Sequence, residues 1–441
     1  MGIAGQLRRF FAAGVIGLTV VALTACTQNA GAASTLPQQA SGSFASDVTG
    51  QLDDAVAAAM KRSGASGAIV GVWAPWAGSW TVAKGTTQRK GSTDMSTSMS
   101  FRIGPITKSM TCTVLLGLAD AKQVALDDPV AKYLPRMIGL SSITLGQLCD
   151  STSGIGDYQP GLYPQFVNNP TRQWVPMELV SDGLAEKPTG TPGEKYAASD
   201  TGYVLLGMAL QHATGRSWAD LYQQYVWDPL GLKHTALPDA TTLSLPSPHP
   251  HGYATAVDAA GAPQCGTEVD VSELSPSMAW TAGGVVSTLD DLKTYAQALA
   301  AGTLVSPAAS KQQWTTRPLS SSAPTWEGYG MGVVTLGPMR GYSGAIPGFL
   351  TSMISDPKTG LTVVVMLNDS TIGSSYAQLL GMQLASIASK TQAKTGKTPV
   401  IALPWSQKQA EQGMATNAVC PPEGVKPAAA DPAWALPVSG D

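Results

Sequence analysis

The residues with the most chemical promise lie in the stretch FRIGPITKSM, residues 101–110. A helix is predicted to begin near Gly104, because proline suits a first helical position: its missing N–H is unneeded there and its fixed φ is already helical. Lys108 then stands one turn in, three residues after Pro105 and on the same face. A hydroxyl at position 105 would be within reach of that amine. A lysine whose pKa is lowered by burial could take the hydroxyl proton and free an oxygen nucleophile for acyl transfer. Proline has no such oxygen, so the stretch has the spacing of nucleophilic catalysis without the nucleophile.

The elements that must hold this turn come from both ends of the chain. Val48, Leu52, Val56 and Met60 recur at helical spacing, and GAIVGVWA and SWTVAKG follow as two strands joined by a turn at Pro75 to Gly78. Towards the other end, YGMGVVTLG, FLTSMIS and LTVVVML read as strands at hairpin spacing, and SSYAQLLGMQLASIAS reads as a closing helix. Between them, from Gly104 to about Pro324, helical stretches such as TCTVLLGLADA and LDDLKTYAQALAAG alternate with loops rich in Pro and Gly. The expectation is an α/β fold with an antiparallel sheet built from both chain ends, flanked by terminal helices, and a mostly helical lobe inserted between them. In residue terms the domain is 46–389, its sheet lobe 46–100 and 325–389, its helical lobe 101–324.

The chain has 441 residues, 44% of them apolar and 13% charged, which is ordinary globular material. Its net charge of −3 becomes −5 without residues 1–25, whose only charges are Arg8 and Arg9, so charge gives no reason to expect nucleic acid as a partner. Those first residues combine a basic start, an apolar run from Phe10 to Ala25 and small residues before Cys26, the pattern of an export signal. Arg8-Arg9 before Phe10-Phe11 also hints at the twin-arginine route. The segment Leu23-Thr24-Ala25-Cys26 resembles the bacterial lipobox, which implies lipidation of Cys26 and an outward-facing membrane anchor. Residues 26–45 are small and polar and read as a flexible tether; 390–441 read as a loosely packed tail.

Several stretches together resemble the beta-lactamase-related serine hydrolases: class C beta-lactamases, D-alanyl-D-alanine carboxypeptidases and esterases of the same fold. They are FRIGPITKSM, LDDPVAKYLP, ITLGQLCDSTSG, TPGEKYAASDTGYVLLG, TAGGVVSTLDDL and GYSGAIPGF followed by DPKTGLTVVVMLN. The resemblance implies a beta-lactamase/transpeptidase-like fold over roughly residues 46–389. It also implies a pocket in which a helix-start serine attacks an acyl carbonyl and a lysine one turn later helps move its proton.

Against that pattern, Pro105 stands for the serine while Lys108 is kept. The Tyr-x-Asn motif falls on Ala198, Ser199 and Asp200, so its phenol is missing; the Lys-Thr-Gly or His-x-Gly motif falls on Tyr342, Ser343 and Gly344. Ser151-Thr152-Ser153-Gly154 likewise lacks the family's histidine. Asp200 in place of asparagine is expected to pair with Lys108 and keep it charged, which works against its acting as a base.

Other candidates carry less. Ser109 should point into the fold; Ser199 and Ser343 are better placed for a displaced nucleophile but are equally suited to satisfying loop backbone. Ser355 to Lys358 matches Ser-x-x-Lys in a turn between strands, and the Lys-Thr-Gly runs at Lys358 and Lys394 fall in that turn and in the tail. Of His212, His234, His249 and His251, only His249-Pro250-His251 has the spacing of metal ligands, and it lacks acidic or Cys partners; no metal and no cofactor are expected. Trp73, Trp76 and Trp80 are read as core or edge cover of the first hairpin before sugar binding is considered. Cys112, Cys149, Cys265 and Cys420 allow three pairings, or buried free thiols; Cys112 with Cys149 is preferred, both lying on apolar faces beside the pocket. The expected function is that of an anchored envelope protein that has lost serine chemistry and binds a peptidoglycan-like peptide or another envelope protein. The alternative is an atypical serine hydrolase.

Overall fold

The computed structural model describes residues 36–258 and 261–421. The signal segment and Cys26 lie outside the described residues. The strands in chain order are β1 (Gly67–Ala74), β2 (Gly78–Gly85), β3 (Phe101–Arg102), β4 (Tyr253–Val257), β5 (Pro263–Asp270) and β6 (Val286–Ser287), followed by β7 (Glu327–Tyr329), β8 (Val334–Leu336), β9 (Met339–Ile346), β10 (Phe349–Ser355) and β11 (Thr362–Leu367). Seven of them form one antiparallel sheet in the order β2-β1-β11-β10-β9-β8-β7. The two chain ends meet inside it, where Val70 of β1 faces Val365 of β11.

Strands β1, β10 and β11 are buried along their whole length. That explains their continuous apolar runs: a strand covered on both faces has no solvent side to alternate with. Helix α1 (Ser46–Ser63) turns Leu52, Val56 and Ala59 inward and stops at Gly64, whose φ of 76° is the left-handed conformation glycine adopts without strain. It packs with the helix Tyr376–Ala388 against the sheet, and the helix Leu289–Ala301 lies against β9, β10, β11 and β1.

The inserted lobe is helix-rich, as expected, with helix α2 (Ile106–Asp120) at its centre and buried on nearly every side. It also carries two features absent from the sequence reading. One is the short pairing of β3 with β6; the other is the hairpin β4–β5, whose second strand is exposed.

Two boundaries need correction. The last part of the supposed tether is bound to the domain: Gln39 Nε2 donates to the carbonyls of Ala74 and Gly78, Ala40 N donates to Pro75 O, and Phe44 is buried. Residues 390–421 are packed too. Trp405 is buried and its Nε1 donates to Met382 O, the helix Gln407–Thr416 lies along Tyr376–Ala388, and Cys420 is disulfide-bonded to Cys265 of β5. Small and polar residues between a few large anchors misled the compositional reading in both places. The second disulfide is Cys112–Cys149, the preferred pairing, joining α2 to the end of the short helix Leu145–Cys149.

Candidate functional site

Pro105 opens helix α2 with φ −56° and ψ −13°, and its carbonyl accepts from Lys108 N at 2.9 Å. The pyrrolidine ring is wedged against strand β9. A Cβ built on Gly344 would lie 2.5 Å from Pro105 Cγ, so only glycine at 344 admits the ring. Proline thus preserves the helix start and fills the space where a nucleophile would stand.

One turn on, Lys108 Nζ lies 2.6 Å from Asp200 Oδ1, with the lysine side chain 8% and the aspartate 18% exposed. Asp200 begins the helix Asp200–Thr214, whose N-cap is Ser199. Lys108 Nζ also sits 5.2 Å from the centre of the Tyr203 ring. Burial pulls the lysine pKa down, but Asp200, helped by Tyr329 and Asp157, more than reverses this and holds it above the ordinary lysine value. The amine is therefore a fixed cation at neutral pH, unable to accept a proton.

Around this pair runs a cleft of about 140 Å³. All seven expected pocket positions line it: Pro105, Lys108, Ala198, Asp200, Tyr342, Ser343 and Gly344. Sequence reasoning missed Asp157, Gln159, Tyr196 and Tyr329, which line it as well. Tyr196 was visible in EKYAASD, two residues before Ala198, and supplies a phenol that the motif position itself lacks. Asp157 lies three residues after the STSG stretch, in a loop whose Asp157 Oδ1 accepts from Thr201 N in the first turn of the helix Asp200–Thr214.

The phenols form an ordered chain. Tyr203 Oη donates to Cys149 O, Tyr203 and Tyr329 hydroxyls are 2.8 Å apart, and those of Tyr329 and Tyr342 are 3.0 Å apart. With the Tyr203 proton committed to a carbonyl, Tyr329 must donate to Tyr203 and Tyr342 to Tyr329. Burial first, then neighbouring phenols and carboxylates, pushes Tyr196, Tyr203 and Tyr342 well above the ordinary phenol value. They are neutral throughout the physiological range and do not act as bases there.

The remaining serines are held structurally. Ser109 Oγ is buried, donates to Ile106 O and pairs with Tyr295 Oη. Ser199 Oγ donates to Gly156 O and accepts from Gly202 N. Ser343 Oγ donates to Ser352 Oγ at 2.7 Å. Lys358 lies in a turn tied to Asp356, and Lys394 Nζ donates to Ser41 O. His251 pairs with Asp270 and His249 with Pro250 O; among the described residues no three His, Cys, Asp or Glu side chains are grouped to hold a metal ion. Trp73 and Trp80 are buried, and Trp76 Nε1 donates to Thr391 O.

Residues 52–380 match the family described as Beta-lactamase. The chain belongs to the beta-lactamase family. Its fold is the beta-lactamase/transpeptidase-like one, and penicillin-binding proteins and D-aminopeptidases are among its relatives. Among relatives, a D-alanyl-D-alanine-carboxypeptidase/endopeptidase of Escherichia coli is 33% identical over 140 residues, 30% of this chain and 36% of that protein. A putative penicillin-binding protein of Bacillus subtilis is 25% identical over 276 residues, covering 61% and 62%. A D-aminopeptidase of Cereibacter sphaeroides is 26% identical over 303 residues, covering 67% and 55%. The chain thus spans less than two thirds of the length of each of these relatives. A solved D-stereospecific amidohydrolase from Streptomyces sp. superposes with a TM-score of 0.65 at 30% identity, covering 74% of this beta-lactamase-family chain and 96% of the other.

Proposed function

We propose that this family member is a binding protein of the bacterial envelope, anchored through lipidated Cys26, whose cleft holds a D-amino-acid-containing peptide of the peptidoglycan type without forming a serine acyl-enzyme. The reading rests on one observation: the Pro105 ring, at the position that matches the family's serine, packs on Gly344 one turn from a lysine held by Asp200 at 2.6 Å. Tyr342 stands where the third motif carries a cationic or imidazole group; burial holds its phenol well above the ordinary value and its proton is committed to Tyr329, which makes it a poor proton donor to a leaving group. The ligand class is suggested by relatives named D-alanyl-D-alanine-carboxypeptidase/endopeptidase, D-aminopeptidase and D-stereospecific amidohydrolase. No helix among the described residues is long and apolar enough to cross a membrane.

The test combines binding and turnover. Purified protein is titrated with a D-alanyl-D-alanine-terminated peptide by calorimetry, and the recovered peptide is weighed by mass spectrometry. Saturable binding with intact peptide is expected. Turnover that disappears on Ser343→Ala would establish instead a hydrolase with a displaced nucleophile.

A further inference from the structure

We infer that the end of the sheet carrying the turns 75–78 and 356–361 is a docking face for anionic lipid headgroups, which holds the cleft on the side away from the membrane. The inference rests on the Cys26 anchor proposed above and adds the face that the anchored domain turns to the bilayer.

The path of the chain makes the first argument. Leu36 is ten residues from Cys26, so it lies within about 35 Å of that cysteine even at full extension. From there the chain is fastened at once to one end of the sheet: Gln39 Nε2 donates to Ala74 O and Gly78 O, Ala40 N to Pro75 O, and Ser79 N to Gly42 O. Gly360, in the turn between β10 and β11, packs so closely here that an added Cβ would lie 2.8 Å from Pro75 Cγ and 3.7 Å from Pro37 Cδ. The segment after the helix Tyr376–Ala388 reaches the same place. Lys394 N donates to Trp76 O, Trp76 Nε1 to Thr391 O, and Lys394 Nζ to Ser41 O at 2.6 Å. A short tether attached at this end makes it the end nearest the bilayer.

Charge makes the second argument. Residues 36–45, 75–79, 357–361 and 389–400 hold four lysines, Lys358, Lys390, Lys394 and Lys397, and no Asp or Glu. All four are exposed, and among the described residues none is ion-paired. Asp356, at the start of its turn, is buried, and its oxygens accept from Lys358 N and Thr359 Oγ1. Four uncompensated cations on one surface suit a layer of phosphates, and each is worth about fivefold in partition onto an anionic bilayer. Trp76, half-buried among them, and Val400, 93% exposed beyond Lys397, add the aromatic and apolar side chains that settle at headgroup level.

Strand geometry makes the third argument. In β10, Ser355 stands at the docking end and pairs with Arg340, while Ser352 and Leu350 pair with Ser343 and Ala345, which line the cleft. At about 3.4 Å per residue, those cleft positions lie about 10–17 Å further along the sheet, away from the lipid. The acyl anchor retains the domain, and the lysines turn its cleft outward.

The experiment uses the full acylated protein, reconstituted in vesicles of phosphatidylcholine alone and of phosphatidylcholine with phosphatidylglycerol. Lysines are labelled with a water-soluble acylating reagent and located by peptide mass spectrometry. The four lysines are expected to label at least about fivefold more slowly in the anionic vesicles, with the difference lost at high salt. Lys187 and Lys233, exposed on the helical lobe, should label equally in both. Replacing Lys358, Lys390 and Lys397 together by Glu should remove the protection of Lys394. The comparison of lipids uses the unaltered protein, so it stands even if that variant folds poorly. Equal labelling of the four lysines in both vesicles, or protection shared by Lys187 and Lys233, would overturn the docking face and leave the anchor standing. Absence of acyl mass on Cys26 would overturn the anchor and the docking face together.

Discussion

Replacing Asp200 by Asn removes the counter-ion of a buried ammonium and leaves its shape almost unchanged. At 2.6 Å, with an effective dielectric of about 20, the gross attraction is about 6 kcal/mol. The remaining charge of Asp157 and the amide dipole of Asn offset about half of that, leaving a loss of about 3 kcal/mol, at the low end for a broken buried pair. For a chain of this size the unfolding entropy is roughly 0.8 kcal/mol/K, so Tm should fall by about 4 °C, measured by scanning calorimetry at pH 7. The sign with pH follows from the raised lysine. Its contribution is fully present below the unfolded lysine value near 10.4 and is lost as pH rises through the higher folded value. The gap between the two proteins should thus be constant from pH 6 to 9 and shrink above about 10. A Tm within about 1 °C of the unaltered protein, or a Lys108 side chain that titrates between pH 6 and 8 by NMR, would refute the ion-pair argument.

Gly344→Ala should destabilise by about 1–3 kcal/mol in denaturant unfolding, because its Cβ would stand 2.5 Å from Pro105 Cγ, and Pro105→Ala should relieve only part of that loss, because the alanine keeps a Cβ 2.8 Å away. Asp157→Asn should stabilise the free protein by about 1–3 kcal/mol at pH 7 and by almost nothing at pH 4. An aspartate raised to about 6 carries stability that is present below its unfolded value and lost as pH rises through the folded one. The combined changes Pro105→Ser, Ala198→Tyr, Asp200→Asn and Tyr342→His should give measurable ester hydrolysis on a chromogenic acetate, while Pro105→Ser alone should give almost none, because both proton-transfer positions stay altered.

The pocket's altered corners were legible because each belongs to a run with its own register. Pro105 and Lys108 share a helix face, Asp200 sits in TGY-flanked sequence, and Tyr342 to Gly344 lie on a strand ahead of PGF. Asp157 and Tyr329 were not, since each is a single polar or aromatic residue whose approach to the cleft depends on where distant segments cross. Asp157 reaches it only because its loop hydrogen-bonds to Thr201, 44 residues on. Tyr329 does so because β7 ends against Tyr203 and Tyr342. The chain ends misled for another reason: Phe44, Trp405 and Cys420 are isolated anchors in small-residue sequence, and composition averages them away.

The central claim is that no residue of this cleft forms an acyl-enzyme. Intact-mass measurement after exposure to a labelled penicillin and to a fluorophosphonate tests it most directly. The account predicts unchanged mass with both reagents under conditions that fully label an active family member. A stoichiometric adduct mapped to any cleft serine, Ser343 first among them, would contradict it.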